Sequence, residues 1–184
     1  DIDGISYDKT TKTLYGVLRR NPANDVLLKI SLTTGAHIPN AFGPGQDYLV
    51  VPAPAGFPAF KDVDDLTFDP MHGDLYATID DGGTGGILVK LDKNTAAVTI
   101  IGAYNDTSLA GNLVDDIEGL SFDTNGQLYG STGNNGPDAK DKNRLFKLDK
   151  TTGAATLVGP FPSTFVDYES LGCLTQLASL VLKK

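Results

Sequence analysis

The stretch Asp116-Ile117-Glu118-Gly119-Leu120-Ser121-Phe122-Asp123 decides how this chain is read, because it occurs more than once. It matches Asp1-Ile2-Asp3-Gly4-Ile5-Ser6-Tyr7-Asp8 and Asp62-Val63-Asp64-Asp65-Leu66-Thr67-Phe68-Asp69 position by position. A shorter copy stands at Asp167-Tyr168-Glu169-Ser170-Leu171-Gly172-Cys173. The first residues of successive copies lie 61, 54 and 51 positions apart, a period that marks one supersecondary unit copied along the chain. The repeats run over 1–61, 62–115 and 116–166, with a partial fourth at 167–184, in a single domain.

The likeness continues beyond the opening motif. Each full copy goes on to Leu-Tyr (Leu14-Tyr15, Leu75-Tyr76, Leu128-Tyr129) and then to Lys29-Ile30, Lys90-Leu91 or Lys147-Leu148. From that Tyr to that Lys is 14, 14 and 18 residues, so the polar stretch Gly133 to Asp138 is an insertion in a loop. Within the third copy four short alternating segments, Ile117 to Phe122, Gln127 to Ser131, Arg144 to Leu148 and Ala155 to Val158, read as strands. Asp123-Thr124-Asn125-Gly126 and Asp149-Lys150-Thr151-Thr152-Gly153 supply the Asp, Asn and Gly that tight turns use. No segment keeps a helical apolar period between caps, so almost no helix is expected.

Four antiparallel strands per unit predict an all-β fold of β-propeller type: three four-stranded blades plus the opening strand of a fourth. The alternative is a β-trefoil, also three repeats of four strands, but the chain has no Trp and its units are long for that fold. The residues Gly119-Leu120-Ser121-Phe122-Asp123, Gln127-Leu128-Tyr129-Gly130 and Thr152-Gly153-Ala154-Ala155-Thr156-Leu157-Val158-Gly159 resemble the GLxFD, LYG and TGAATxVG repeats of secreted bacterial propeller proteins. The resemblance covers nearly the whole chain. It implies architecture and an extracellular or cell-surface setting more than it implies an activity, because such folds carry adhesion, envelope, binding and occasional hydrolytic roles. Asp116 to Leu120 is also similar to the phytase-like and esterase-like propellers, whose acidic residues around a central channel hold calcium.

Composition sets outer limits. The 184 residues are 40% hydrophobic and 21% charged, which suits a packed domain and is too apolar for intrinsic disorder. A formal charge of -8 has the wrong sign for a phosphate backbone, so no nucleic-acid partner is expected. The apolar stretch Leu177 to Leu182 is far shorter than the ~20 residues of a membrane helix, so no membrane insertion is expected. The single cysteine, Cys173, forms no intrachain disulfide and reads as a buried strand thiol. A start at Asp1 without a signal sequence reads as a mature secreted product or an excised piece.

The acidic pairs that head the repeats are the candidate site: Asp1 and Asp3, Asp62 and Asp64, Asp116 and Glu118, Asp167 and Glu169. Residues two apart on a strand share a face, so pairs on innermost strands form a carboxylate ring suited to Ca²⁺, which takes oxygen ligands. The competing reading makes each first Asp a cap of its strand, and repetition favours structure over chemistry. Asp8, Asp69, Asp92, Asp123 and Asp149 head hairpin turns, and Tyr15, Tyr76 and Tyr129 pack between units. No catalytic residue is assigned: His37 and His72 lie in connectors, and no basic group accompanies the acids within the motif. The function expected is a non-enzymatic extracellular structural, adhesion or binding module with a protein or glycan ligand. Self-association into a homo-oligomer or filament is expected through the C-terminal strand, Leu171 to Leu182. The alternative is a calcium-dependent hydrolase of phytase-like or lactonase-like type.

Overall fold

The computed structural model describes residues 1–20, 23–54, 62–80, 86–105, 114, 117–133, 142–161 and 171–172, with the side chains of Asp62 and Asp80 left out. All regular structure among them is β. Sheet 1 comprises β1 (Ile2–Asp8), β2 (Thr13–Leu18), β3 (Val26–Ile30) and β4 (Tyr48–Val50). Sheet 2 comprises β5 (Asp62–Phe68), β6 (Leu75–Asp80), β7 (Ile87–Leu91) and β8 (Val98–Ala103). Sheet 3 comprises β9 (Gly119–Phe122), β10 (Leu128–Ser131), β11 (Arg144–Leu148) and β12 (Ala155–Pro160). Each sheet is an antiparallel meander whose strands pair in chain order.

The expected turns form as their residues dictate. Asp8, Asp69, Asp92, Asp123 and Asp149 each accept a hydrogen bond from the backbone N–H two residues on, at 2.7 to 2.9 Å. These Asx turns satisfy the backbone locally while the chain reverses. Gly73, Gly126 and Gly153 hold positive φ of 74°, 80° and 81° in them. Lys12 at 56° and Ala96 at 56° occupy the places of Gly73 and Gly153 without glycine's freedom.

Alternation gives sheet 2 one face toward sheet 1 and the other toward sheet 3. Tyr15, Val17 and Leu27 of sheet 1 are buried against Leu66, Phe68 and Val89 of sheet 2. Tyr76 and Leu88, on the far face of sheet 2, are buried against Leu120, Phe122 and Phe146 of sheet 3. Tyr15 meets Phe68 and Tyr76 meets Phe122 with ring centroids 5.4 Å apart in both joints, tilted by 57° and 70°. Tyr15 and Tyr76 are therefore packing residues between sheets, whereas Tyr129 at the same place in sheet 3 is only half-buried. As the alternation predicts, Leu120 and Phe122 are buried and Ser121 between them is only half-buried.

The opening strands carry one irregularity that simple alternation misses. Register shifts between Ile2 and Gly4 in β1, and between Val63 and Leu66 in β5, at the position of the second acid. In sheet 3 the carbonyl of Ser131 receives the N–H of Glu118 while Ser131 itself pairs with Gly119. Such bulges turn a side chain away from its regular direction. They bring Ile2 and Ile5, three apart, to one face, and they turn Asp3 and Asp64 out of the regular period.

Candidate functional site

The acidic motif places its residues unequally. Asp3 and Asp64, at corresponding positions of sheets 1 and 2, converge on Arg19, which follows the last residue of β2. Arg19 Nε donates to Asp3 Oδ2 at 2.9 Å, and Nη2 lies 3.6 Å from Asp64 Oδ1. Asp1 is exposed, and its carbonyl accepts from the Arg19 N–H. Glu118 is turned into sheet 3, where its carboxylate lies so close to Gly133 that a Cβ there would overlap it. Arg19 and Gly133 occupy one repeat position, so the same place holds a cation in sheet 1 and leaves room for the Glu118 carboxylate in sheet 3.

Asp116, Asp167 and Glu169, the Asp62 side chain and the C-terminal strand from Cys173 onward lie outside the described residues. Among the described residues no three His, Cys, Asp or Glu side chains gather as a metal-holding group. Arg19 answers the charge of the one acidic convergence that is described. The acidic motif alone does not reveal Arg19, which stands outside it and is brought back to it by the first hairpin.

Asp65 breaks the repeat more deeply, standing where the other copies have Gly4 and Gly119. Its carboxylate is buried, accepting from Leu66 N–H and, across the joint, from Leu120 N–H of sheet 3, each at 2.7 Å. A Cβ at Gly4 would overlap Asp65, so glycine in sheet 1 makes room for the acid of sheet 2. Burial pushes the Asp65 carboxyl up to about 7, against the pull of the Leu120 and Leu66 N–H groups.

At the other end of the opening strands two carboxylates link the sheets. Asp8 is buried in sheet 1 and binds Lys93 Nζ from the β7–β8 turn at 2.6 Å. Asp69, equally buried in sheet 2, binds Lys150 Nζ from the β11–β12 turn at 2.8 Å and has His72 Nδ1 at 3.0 Å. Each lysine also lies over the phenyl ring of its own sheet, 5.6 Å from the centroid for Phe68 and 5.7 Å for Phe122. Burial raises the Asp8 carboxyl, but Lys93, the Thr11 hydroxyl and the turn N–H groups outweigh it and hold it below the usual range. For Asp69 the same balance, with Lys150 and His72 as partners, drives the carboxyl well below that range. Between these links runs a cleft of about 280 Å³ lined by Ser6, Tyr7, Asp69, His72 and Ser121 among others.

Neither lysine stands out in the sequence, since each is one residue of a polar turn. The signal that finds them is their shared repeat position, one residue after Asp92 and Asp149. No protein-family model matches the chain, and no curated protein is significantly similar to it.

Proposed function

We propose that the chain is a non-enzymatic structural or binding module of the extracellular space, built of β-propeller blades and associating with further copies of itself. The observation that carries this reading is the use of its charged side chains. Asp8 with Lys93, Asp69 with Lys150, and Asp3 and Asp64 with Arg19 all join one sheet to the next. A general acid or base needs a proton to exchange with substrate, whereas these carboxylates are engaged with cations across the joints. The propeller assignment is supported by chain-order meanders stacked face to face with their first strands adjacent. The extracellular setting rests on the resemblance of the repeats alone.

A panel of phosphatase and esterase substrates, assayed with and without Ca²⁺, tests the reading. Turnover at the background rate is expected in both. Turnover that Asp64→Asn abolishes would replace the module with a hydrolase. Calcium enters as an occupant of the acidic pairs in competition with Arg19. Millimolar Ca²⁺ is then expected to raise the Tm of Arg19→Ala more than that of the natural chain, because an ion bound only to the native state stabilises it by mass action. Equal shifts would separate calcium from Asp3 and Asp64.

A further inference from the structure

The plan that joins the sheets is present a third time, divided between the two ends of the array. In sheet 1 the face that would meet a preceding sheet is open: Ile2, Ile5 and Tyr7 are 47%, 57% and 40% exposed. The matching Val63, Leu66 and Phe68 are 0%, 1% and 7% exposed, and Ile117, Leu120 and Phe122 are 1%, 2% and 5%. Beyond these residues lies a cleft of about 460 Å³ lined by Leu18 and the exposed Tyr48, with the buried Val26 and Leu28 beneath. At the opposite end, sheet 3 presents Tyr129, Leu145 and Asp123 at the positions where Tyr76, Leu88 and Asp69 of sheet 2 receive sheet 3.

We infer that the open face of sheet 1 is a docking surface for the outer face of sheet 3 in a second copy of this chain, arranged head to tail. The inference rests on the self-association proposed above and names its surface. The occupant is a second copy because the complementary face is one the chain itself carries, used twice already in its own joints. Within one chain these faces lie on opposite sides of sheet 2. Two copies bring six sheets together, within the range in which propellers close, and a head-to-tail contact whose rotation closes gives a ring instead of a filament.

One residue sets this joint apart from the internal ones. The β3–β4, β7–β8 and β11–β12 turns share their hydrogen bonds: Ser31, Asp92 and Asp149 each accept from the N–H four residues on. The next residue is Lys93 or Lys150 in the later turns and Leu32, 66% exposed, in the first. Sheet 1 therefore brings no lysine to the partner's Asp123. Among the described residues Asp123 has no lysine partner, and its carboxylate accepts from the N–H groups of Asn125 and Gln127. The joint between copies is apolar, lacks the ionic link, and holds less tightly than the joints within a chain.

Light scattering and sedimentation of the full chain over a range of concentrations test this. The expected result is a concentration-dependent species of twice the monomer mass. Ile5→Asp should weaken association by about a hundredfold or more with Tm unchanged, because it puts a charge into an apolar contact. Leu32→Lys should strengthen association by roughly three- to tenfold at low salt, and Asp123→Asn in the same chain should cancel that gain. A chain that stays monomeric at every concentration overturns both this surface and the self-association it rests on. Association that ignores Ile5→Asp and Leu32→Lys but is lost in Leu180→Asp keeps self-association and overturns this surface.

Discussion

The joint between sheets 1 and 2 and the joint between sheets 2 and 3 are two solutions of one problem, and they differ in their polar parts. Both stack a tyrosine on a phenylalanine and fasten one end with a lysine reaching a buried aspartate. Both also give a backbone N–H of the later sheet a buried carboxylate acceptor in the earlier one. At the first joint that acceptor is Asp25, from the β2–β3 connection, which takes the Val63 N–H at 2.9 Å. At the second it is Asp65, from the opening strand itself, which takes the Leu120 N–H. The apolar contact and the lysine link recur because the same repeat positions build both joints. The acceptor is improvised at each joint, and at the second burial pushes the Asp65 carboxyl up to about 7.

The comparison is most sharply tested by the aromatic positions. Phe68→Ala and Phe122→Ala should each lower unfolding free energy by about 3 to 5 kcal/mol, the usual loss for a buried phenylalanine. Tyr7→Ala, at the same position on the open face, should change it by no more than about 0.5 kcal/mol in dilute solution. Urea unfolding of the three variants checks the contrast. A large loss at Tyr7 would mean that the face of sheet 1 is covered within one chain.

Asp65 should give the second joint a pH dependence of its own. Its folded pKa lies above the ordinary carboxyl value, so the native state holds a proton between about 4 and about 7 that the unfolded chain has released. The contribution is full below that window and is lost as pH rises through 7, by a few kcal/mol in all. Asp65→Gly restores the residue of the other repeats and should flatten that part of the stability profile. A profile of unchanged slope would mean that Asp65 is ionised throughout.

The lysine links should behave oppositely. Asp8 and Asp69 have folded pKa values below the ordinary one, so their stabilisation is present above about pH 4 and fades as pH falls through the folded values. At neutral pH Asp8→Asn and Asp69→Asn should each cost about 1 to 3 kcal/mol, with the larger loss at Asp69, which serves both Lys150 and His72. Thermal melts at pH 7 and pH 3 check this, since the difference from the natural chain should shrink in acid. Lys12→Gly is expected to act in the other direction, stabilising by about 1 kcal/mol by relieving a left-handed backbone at a non-glycine residue.

The sequence shows much of the fold for a specific reason. The strands, turns and packing tyrosines depend on local alternation and on residues such as Asp8 and Gly126, whose conformational effect reaches only a few positions. The acidic site is harder to read because its geometry is not local. Period-two logic puts Asp1 with Asp3 and Asp62 with Asp64, but the bulges at Asp3-Gly4 and Asp64-Asp65 turn the second acids toward Arg19, sixteen residues beyond Asp3. Asp65 looks like a minor departure from glycine until Gly4 and Leu120 are seen to close around it. Lys93 and Lys150 lie in turns whose composition is explained by the turn alone, so their reach to another sheet leaves no trace within the segment.

The pairing of strands in chain order has a consequence for how such a molecule forms and changes. Among the described residues every hydrogen-bonded strand pair joins neighbours along the chain, so each meander can assemble from its own hairpins before it meets another sheet. What remains is stacking between consecutive units, a nearly one-dimensional process in which each unit contacts its neighbours. Duplication of a whole unit would then insert a sheet together with both of its faces, leaving the pre-existing joints chemically intact. Array length can drift by recombination while the joint is preserved.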